Sequence, residues 1–158
     1  MDDVVIARAL HVLGVVIWIG GVAMVTLVVL PALRRGDLGP NRLQIFEAIA
    51  RRFAWHARIA TRIVGMTGFY MTQRLDLWDR FRSGEFWWMH AMVCLWLLFT
   101  VLLFVAEPLI LHRRFHARAT AQPDAAFALL QRAHWLLLAL SLITILGGVA
   151  GSQGLSLP

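Results

Sequence analysis

Four histidines in this sequence have the residue type and the spacing of haem ligands. His11, His56, His90 and His134 each lie near the start of one of four apolar stretches. If those stretches form an up-and-down bundle, His11 and His90 share one side of the bundle, and His56 and His134 share the other. An imidazole from each of two facing helices is the arrangement that binds the iron of a b-type haem. The spacing therefore predicts two ligand pairs and one or two b-type haems.

Small and aromatic residues near two of these histidines suit a porphyrin. Gly14 follows His11 by three positions and Ala60 follows His56 by four, so each lies on the same helical face as its histidine. Both leave room for a ring beside the ligand. Trp18 lies two turns after His11 and is placed to stack on the edge of a macrocycle, although packing between helices explains it equally well.

Two arginines near His56 are candidates for binding the haem propionates. Arg58 and Arg62 lie one turn apart in the second apolar stretch, and a guanidinium group matches a carboxylate in bidentate geometry. The alternative is that both side chains extend to phospholipid headgroups.

Other interpretations of the histidines remain open. They can be structural or interfacial, bonding water or a carbonyl, or they can bind another metal. A copper site would use His11 and His90 together with methionines, because soft ligands suit copper. The pair His112 and His116 is better explained by an interfacial role than by a weak metal or anion site. The methionines concerned are Met24, Met66, Met71, Met89 and Met92.

The composition indicates a membrane protein. Apolar residues make up 59% of the 158 residues and the mean hydropathy is +0.70, more than a soluble chain of this length needs for one core. A membrane-spanning helix needs about 20 mostly apolar residues. The sequence therefore predicts an all-α fold, a single membrane domain over 1–158 that forms an integral, antiparallel four-helix bundle. Its predicted helices cover 4–33, 53–72 with an amphipathic lead-in at 41–52, 86–111 and 125–150.

The first apolar stretch is expected to stay in the protein as a helix. Its length exceeds the about 7–15 residues of a signal-peptide core, and the acidic Asp2 and Asp3 precede it where a signal peptide has basic residues. The chain has one cysteine, Cys94, so no disulfide within the chain is expected.

The arginines predict the orientation in the membrane. All 15 basic residues are arginine, and cationic segments next to spanning helices stay in the cytoplasm. Eleven of these arginines lie in or beside the segments that join helix one to two and helix three to four. Both termini are therefore expected on the periplasmic side of a bacterial inner membrane. Anionic lipid next to these segments also accounts for the net charge of +6 without any nucleic-acid partner. The eleven are Arg34, Arg35, Arg42, Arg51, Arg52, Arg58, Arg62, Arg113, Arg114, Arg118 and Arg132.

A resemblance to a known family lies in the segment RALHVLGVVIWIGG. It is similar to the opening of the CopD/HemJ superfamily of small membrane proteins, in which a first-helix histidine, here His11, is followed by a tryptophan, here Trp18, and by small residues, here Gly20 and Gly21. The segments RIVGMTGFYM and EFWWMHAMVCLW resemble the second and third helices of that family. HemJ-like proteins typically carry a lysine early in the third helix, where this sequence has His90.

This difference favours a histidine-rich, cytochrome-like member of the superfamily over a porphyrinogen oxidase. We expect a b-type haem protein that transfers electrons between the quinone pool or a partner protein and an acceptor across the bilayer, which would make it a haem-dependent membrane oxidoreductase. Membrane lipid and a second copy of the chain are further expected partners. The alternatives are a CopD-like copper-handling protein, a HemJ-like porphyrinogen oxidase, and an accessory subunit without redox chemistry.

Overall fold

The chain folds as a set of helices. The computed structural model describes residues 2–154, with the side chains of 110–112 outside the description, and within that range the fold is 91% helix without a strand. The all-α class is therefore confirmed. Helix α1 runs over Asp2–Met24 and continues through a π-helical turn, Val25–Val29, into Leu30–Arg35; α2 is Arg42–Arg74; α3 is Trp87–Val101 and continues as the π-helical segment Leu102–Leu111; α4 is His112–Ala121 and α5 is Pro123–Ser152.

Three helices in the described part of the chain are long and apolar enough to cross a membrane. They are Asp2–Arg35, Gly84–Leu109 and Pro123–Ser152, in agreement with three of the four predicted stretches. The fourth stretch, 53–72, lies within α2, which is long enough but less apolar because it carries several arginines. The helix begins at Arg42, so the predicted amphipathic lead-in and the stretch 53–72 form one continuous helix.

Helices α1 and α2 are antiparallel and pack closely along most of their length. A Cβ atom on Gly14 would lie 2.8 Å from Cγ2 of Val64 and 3.4 Å from the carbonyl oxygen of Ala60, so only glycine permits this approach. The adjoining core contains Trp18, whose ring meets that of Phe99 edge-on at a centroid distance of 4.8 Å. Further buried residues of this core are Ile19, Val22, Ala57, Ala60, Val64 and Leu138.

Helices α3 and α5 pack where tryptophan side chains of α3 contact glycines of α5. Trp87 and Trp88 of α3 lie against Gly147 and Gly151 of α5, where a Cβ atom would come within 2.4 Å and 2.2 Å of an indole atom. The tryptophans near the start of α3 therefore fill space that the glycines of α5 leave open.

The first π-helical segment precedes Pro31 and the second contains Pro108. In each, one backbone carbonyl needs a hydrogen-bond donor from another helix. In a π-helix the N–H of residue i bonds the carbonyl five residues earlier, as Leu30 does with Val25. Proline has no N–H, so Pro31 leaves the carbonyl of Thr26 free and Pro108 leaves that of Leu103 free. The Thr26 carbonyl accepts from Nε2 of Gln131 at 2.7 Å instead.

The second free carbonyl is satisfied in the same way. Nε of Arg58 on α2 donates to the carbonyl of Leu103 at 3.0 Å, and the same guanidinium pairs with the carboxylate of Glu107. A polar side chain therefore joins each π-helical segment to a different helix.

Candidate functional site

His11 lies half-buried where α1 meets α2. Its Nδ1 is 3.0 Å from Oγ1 of Thr67, and that hydroxyl already donates to the carbonyl of Ile63 at 2.6 Å. Because the hydroxyl proton is used, Thr67 accepts the bond and the imidazole carries its proton on Nδ1. Nε2 then holds the lone pair that a metal would need.

His56 and His134 have their Nδ1 atoms fixed by their own helices. Nδ1 of His56 donates to the carbonyl of Arg52 at 2.8 Å, and Nδ1 of His134 donates to that of Leu130 at 3.0 Å. Each imidazole therefore has its lone pair on Nε2. A hydrogen bond from Nδ1 fixes the ring and leaves Nε2 available to bind a metal.

His90 is held differently, by the loop that precedes α3. Its Nε2 lies 3.0 Å from the carbonyl of Phe81 and its Nδ1 lies 3.4 Å from that of Phe86. A carbonyl only accepts and a neutral imidazole carries one proton, so the shorter contact assigns that proton to Nε2, which is then not free to bind a metal. The ring also meets that of Phe81 edge-on at 5.4 Å.

The structure does not bring the predicted histidine partners together. His11 faces α2, whereas His90 faces the preceding loop. His56 lies on the exposed side of α2, whereas His134 lies on the inward side of α5, between the buried Gln131 and Leu138. Within the described residues there is also no group of three or more histidine, cysteine, aspartate or glutamate side chains that could hold a metal ion.

A shallow apolar groove between α1 and α2 contains His56. Its volume is about 120 Å³, below the roughly 300–1,000 Å³ of pockets that enclose a small molecule. The imidazole lies at one end, next to the small residues Gly14 and Ala60 that the sequence singled out. The groove offers one imidazole nitrogen and apolar walls, and its volume does not enclose a haem ring. The remaining lining residues are Leu10, Leu13, Ile17, Ile59 and Ile63.

The other sequence-predicted site residues contact protein groups. Arg58 binds Glu107 and the Leu103 carbonyl, and the guanidinium of Arg62 lies over the ring of Phe104 at 4.9 Å. Trp18 is 3% exposed within the core described above, and its Nε1 has no hydrogen-bond partner among the described residues.

The residues suggested for copper point in different directions. Met89 is buried, the methyl group of Met92 lies on Gly148, and His90 faces Phe81. Nδ1 of His116 lies 2.7 Å from Oε1 of Glu47, and the side chain of His112 is outside the described residues.

A second cavity was not anticipated from the sequence. It has a volume of about 460 Å³ and lies between the end of α1 and the first turns of α5. Gln131 lines it, and a glutamine within an apolar stretch is the sequence signal that points there, since polar side chains at membrane depth are usually functional. Its other lining residues are Pro31, Arg34, Arg35, Asp124 and Trp135.

No protein-family model, curated protein or solved structure matches this chain. The resemblance to CopD/HemJ proteins therefore rests on the sequence segments alone.

Proposed function

We propose that the protein is a four-helix integral membrane protein of the CopD/HemJ type that binds b-type haem and transfers electrons. In this proposal α2 crosses the membrane beside the three apolar helices. Two contacts support a membrane position for its charges: Arg58 is paired with Glu107, and Arg62 lies over the ring of Phe104. Paired charges that face other helices are the ones that membranes tolerate.

The arginine distribution supports an orientation with both termini in the periplasm of a bacterial inner membrane. The end of α1, the first two thirds of α2, helix α4 and the first turns of α5 together carry eleven of the fifteen arginines, and such segments are retained in the cytoplasm. The groove that contains His56 would then lie nearer the cytoplasmic side.

The observation that carries the haem proposal is the imidazole of His56. Its Nδ1 is fixed by the Arg52 carbonyl, its side chain is exposed, and its groove is apolar with small residues beside the ligand. In the proposed complex His56 binds the iron through Nε2, the ring lies over the groove, and Ile59 with Ile63 excludes water. The space beside Gly14 is filled by Val64, so Gly14 has no part in this complex. Bound haem supplies a one-electron carrier.

The second face of the haem is proposed to be covered by a second copy of the chain. The groove is too small to enclose the ring and opens onto the outer surface of the α1–α2 pair. A twofold dimer through this surface would place a second His56 opposite the first, because the same patch faces itself in such an interface. This gives a bis-histidine site although none of the predicted pairs meets within one chain.

An optical spectrum of the detergent-purified protein tests the proposal. We expect a Soret band that sharpens on reduction with dithionite, with one haem per two chains. His56→Ala is expected to remove the band and to convert the dimer into a monomer. His116→Ala is the matched control, because this exposed imidazole lies outside the groove.

Two outcomes would contradict the proposal. A protein without haem after expression with ample haem supply would overturn it, and stoichiometric copper in that protein would favour the CopD-like alternative. A spectrum that survives His56→Ala but is lost in His134→Ala would move the ligand to the inward side of α5.

A further inference from the structure

Arg62 carries a positive charge that no described side chain matches. It lies in α2 within the apolar stretch 53–72, its side chain is exposed, and its guanidinium lies 4.9 Å from the centroid of the Phe104 ring. Among the side chains that the structure describes, it forms no ion pair or hydrogen bond. An aromatic ring attracts a cation without neutralising it. An unmatched charge at membrane depth is costly and usually marks a functional site.

The neighbouring Arg58 is matched within the protein. It lies one turn closer to the arginine-rich end, pairs with the carboxylate of Glu107 and donates to the carbonyl of Leu103 at 3.0 Å. Glu107 is the only carboxylate in the four apolar stretches of the sequence, and Arg58 already uses it. The seam where α2 meets the π-helical continuation of α3 therefore keeps one positive charge, which an anion from outside the chain would offset.

The depth of Arg62 limits which anion can reach it. Arg62 follows Phe53, the start of its apolar stretch, by nine residues, or about 13.5 Å along the helix. Its contact with Phe104 keeps the guanidinium beside a ring that precedes the end of the third apolar stretch by seven residues. The hydrocarbon core of a bilayer is about 30 Å thick, so the guanidinium lies inside it. A phospholipid phosphate lies in the headgroup layer, outside that core.

We propose that this seam binds the carboxylate of a long-chain fatty acid from the membrane. A fatty acid can enter the hydrocarbon core in its neutral form, and its ionised form matches a guanidinium in bidentate geometry. The acyl chain lies along Met66 and Phe69, which follow Arg62 by four and seven positions on the same face of α2 and are 73% and 63% exposed. The seam therefore offers a cation for the head and an apolar stripe, Met66 and Phe69, for the chain.

This site is separate from the haem groove on the same helix. Arg62 follows His56 by six positions, so its side chain lies about 120° away around α2. It faces Phe104, whereas His56 lies on the groove between α1 and α2. The inference rests on the membrane position of α2 in the proposed function, and it does not depend on haem.

Photolabelling of the protein in phosphatidylcholine vesicles tests the proposal. The probe is palmitic acid with a diazirine near the middle of its chain, and mass spectrometry locates the labelled residues. We expect labels on Met66 and Phe69 that excess palmitate suppresses and that methyl palmitate leaves in place, because the ester carries no charge. Equal suppression by the two competitors, or no label on this stripe, would overturn the proposal. Phosphatidylglycerol that suppresses the label as well as palmitate does would assign the seam to a phospholipid and also overturn it.

Arginine variants locate the charge that binds the carboxylate. Arg62→Gln is expected to lower the labelling about tenfold, as the loss of one charged hydrogen bond would do, and Arg62→Lys is expected to retain most of it. Arg132→Gln is the matched control, because Arg132 is also exposed within an apolar stretch and forms no ion pair with a described side chain. An unchanged label in Arg62→Gln, or an equal loss in Arg132→Gln, would contradict the assignment. If Arg62→Gln does not fold, the two competitors in the unchanged protein still decide.

Two further measurements separate this site from the proposed function. A Soret band without the palmitate-sensitive label would overturn this inference alone, and the label without a Soret band would overturn the haem proposal alone. Arg62→Cys in a Cys94→Ala background is expected not to react with a membrane-impermeant thiol reagent in sealed vesicles. A reaction would show that position 62 faces water, which would overturn both the membrane position of α2 and this inference.

Discussion

An imidazole offers a metal only the nitrogen that carries no proton, and hydrogen bonds decide which nitrogen that is. At the residue scale this separates the four candidate histidines. His11, His56 and His134 each use Nδ1 in a hydrogen bond, to Thr67 or to a backbone carbonyl. His90 uses Nε2 on the Phe81 carbonyl. The first three are therefore prepared to bind through Nε2, and of these His56 lies on an open groove.

Gly14 allows a residue-scale prediction about the α1–α2 contact. Gly14→Ala places a methyl group 2.8 Å from Cγ2 of Val64, and we expect it to destabilise the protein by about 1–3 kcal/mol through overpacking. Thermal unfolding in detergent, followed by circular dichroism, measures the change.

Gly20→Ala is the matched control, because nothing lies within 4 Å of its added Cβ atom. We expect it to be neutral or slightly stabilising, since alanine has the higher helix propensity. Val64→Ala combined with Gly14→Ala should recover part of the loss. Equal effects of the two glycine substitutions would show that close approach at Gly14 contributes nothing.

At the scale of elements, the two π-helical segments determine how the helices are joined. A proline frees one carbonyl in each, and a side chain from a different helix donates to it: Gln131 to Thr26 and Arg58 to Leu103. One of these residues also belongs to a candidate site, since Gln131 lines the large cavity, whereas Arg58 faces the π-helical segment of α3. The bond from Gln131 that compensates for proline therefore also fixes one wall of that cavity.

This compensation predicts that Pro31 and Gln131 are energetically coupled. Pro31→Ala restores an N–H that can bond the Thr26 carbonyl within the helix, so Gln131 is no longer its only donor. We expect Gln131→Leu to destabilise the unchanged protein by about 1–3 kcal/mol and the Pro31→Ala protein by about 1 kcal/mol less.

A double-mutant cycle on thermal unfolding measures this coupling. Pro123→Ala serves as the control background, because Pro123 lies in the first turn of α5, where no helical donor is lost. If Gln131→Leu costs the same in all three backgrounds, the hydrogen bond to Thr26 is not a substitute for the one that proline removes.

At the scale of the whole molecule, charge is distributed unequally between the two ends. The arginine-rich end holds the large cavity, while the opposite end holds a small network in which Arg74 and Tyr70 of α2 both bond the carboxylate of Asp3, at 3.1 Å and 2.8 Å. That network joins the start of α1 to the end of α2. A membrane protein oriented by positive charge would keep the first end in the cytoplasm and the second outside.

Reporter fusions to the C-terminus test this orientation. We expect alkaline phosphatase to be active and green fluorescent protein to be dark, because the proposed orientation has both termini in the periplasm. The opposite pair of results would reverse the orientation and move the large cavity to the periplasmic side. Replacing Arg34, Arg35 and Arg42 together by glutamine should give mixed activity if these charges set the topology.

Several features of the fold could be predicted from the sequence because they depend on local chemistry. Long apolar runs form helices in a membrane because each backbone N–H and C=O must be bonded within its own segment, so α1, α3 and α5 follow from composition. The end of α1 follows from Gly36, whose φ of 81° favours glycine. Gly14 and Ala60 were expected to leave room beside a porphyrin, whereas the fold places them where α1 meets α2.

Which face of each helix points inward was decided only by tertiary packing. Sequence position gives the level of a histidine along its helix, but rotation about the helix axis depends on which neighbour buries which side. Gly14 against Val64 and Trp18 against Phe99 set that rotation for α1 and leave His56 outward and His134 inward. The role of Gln131 has the same origin: a proline removes a donor on one helix, and only the fold shows which distant side chain replaces it.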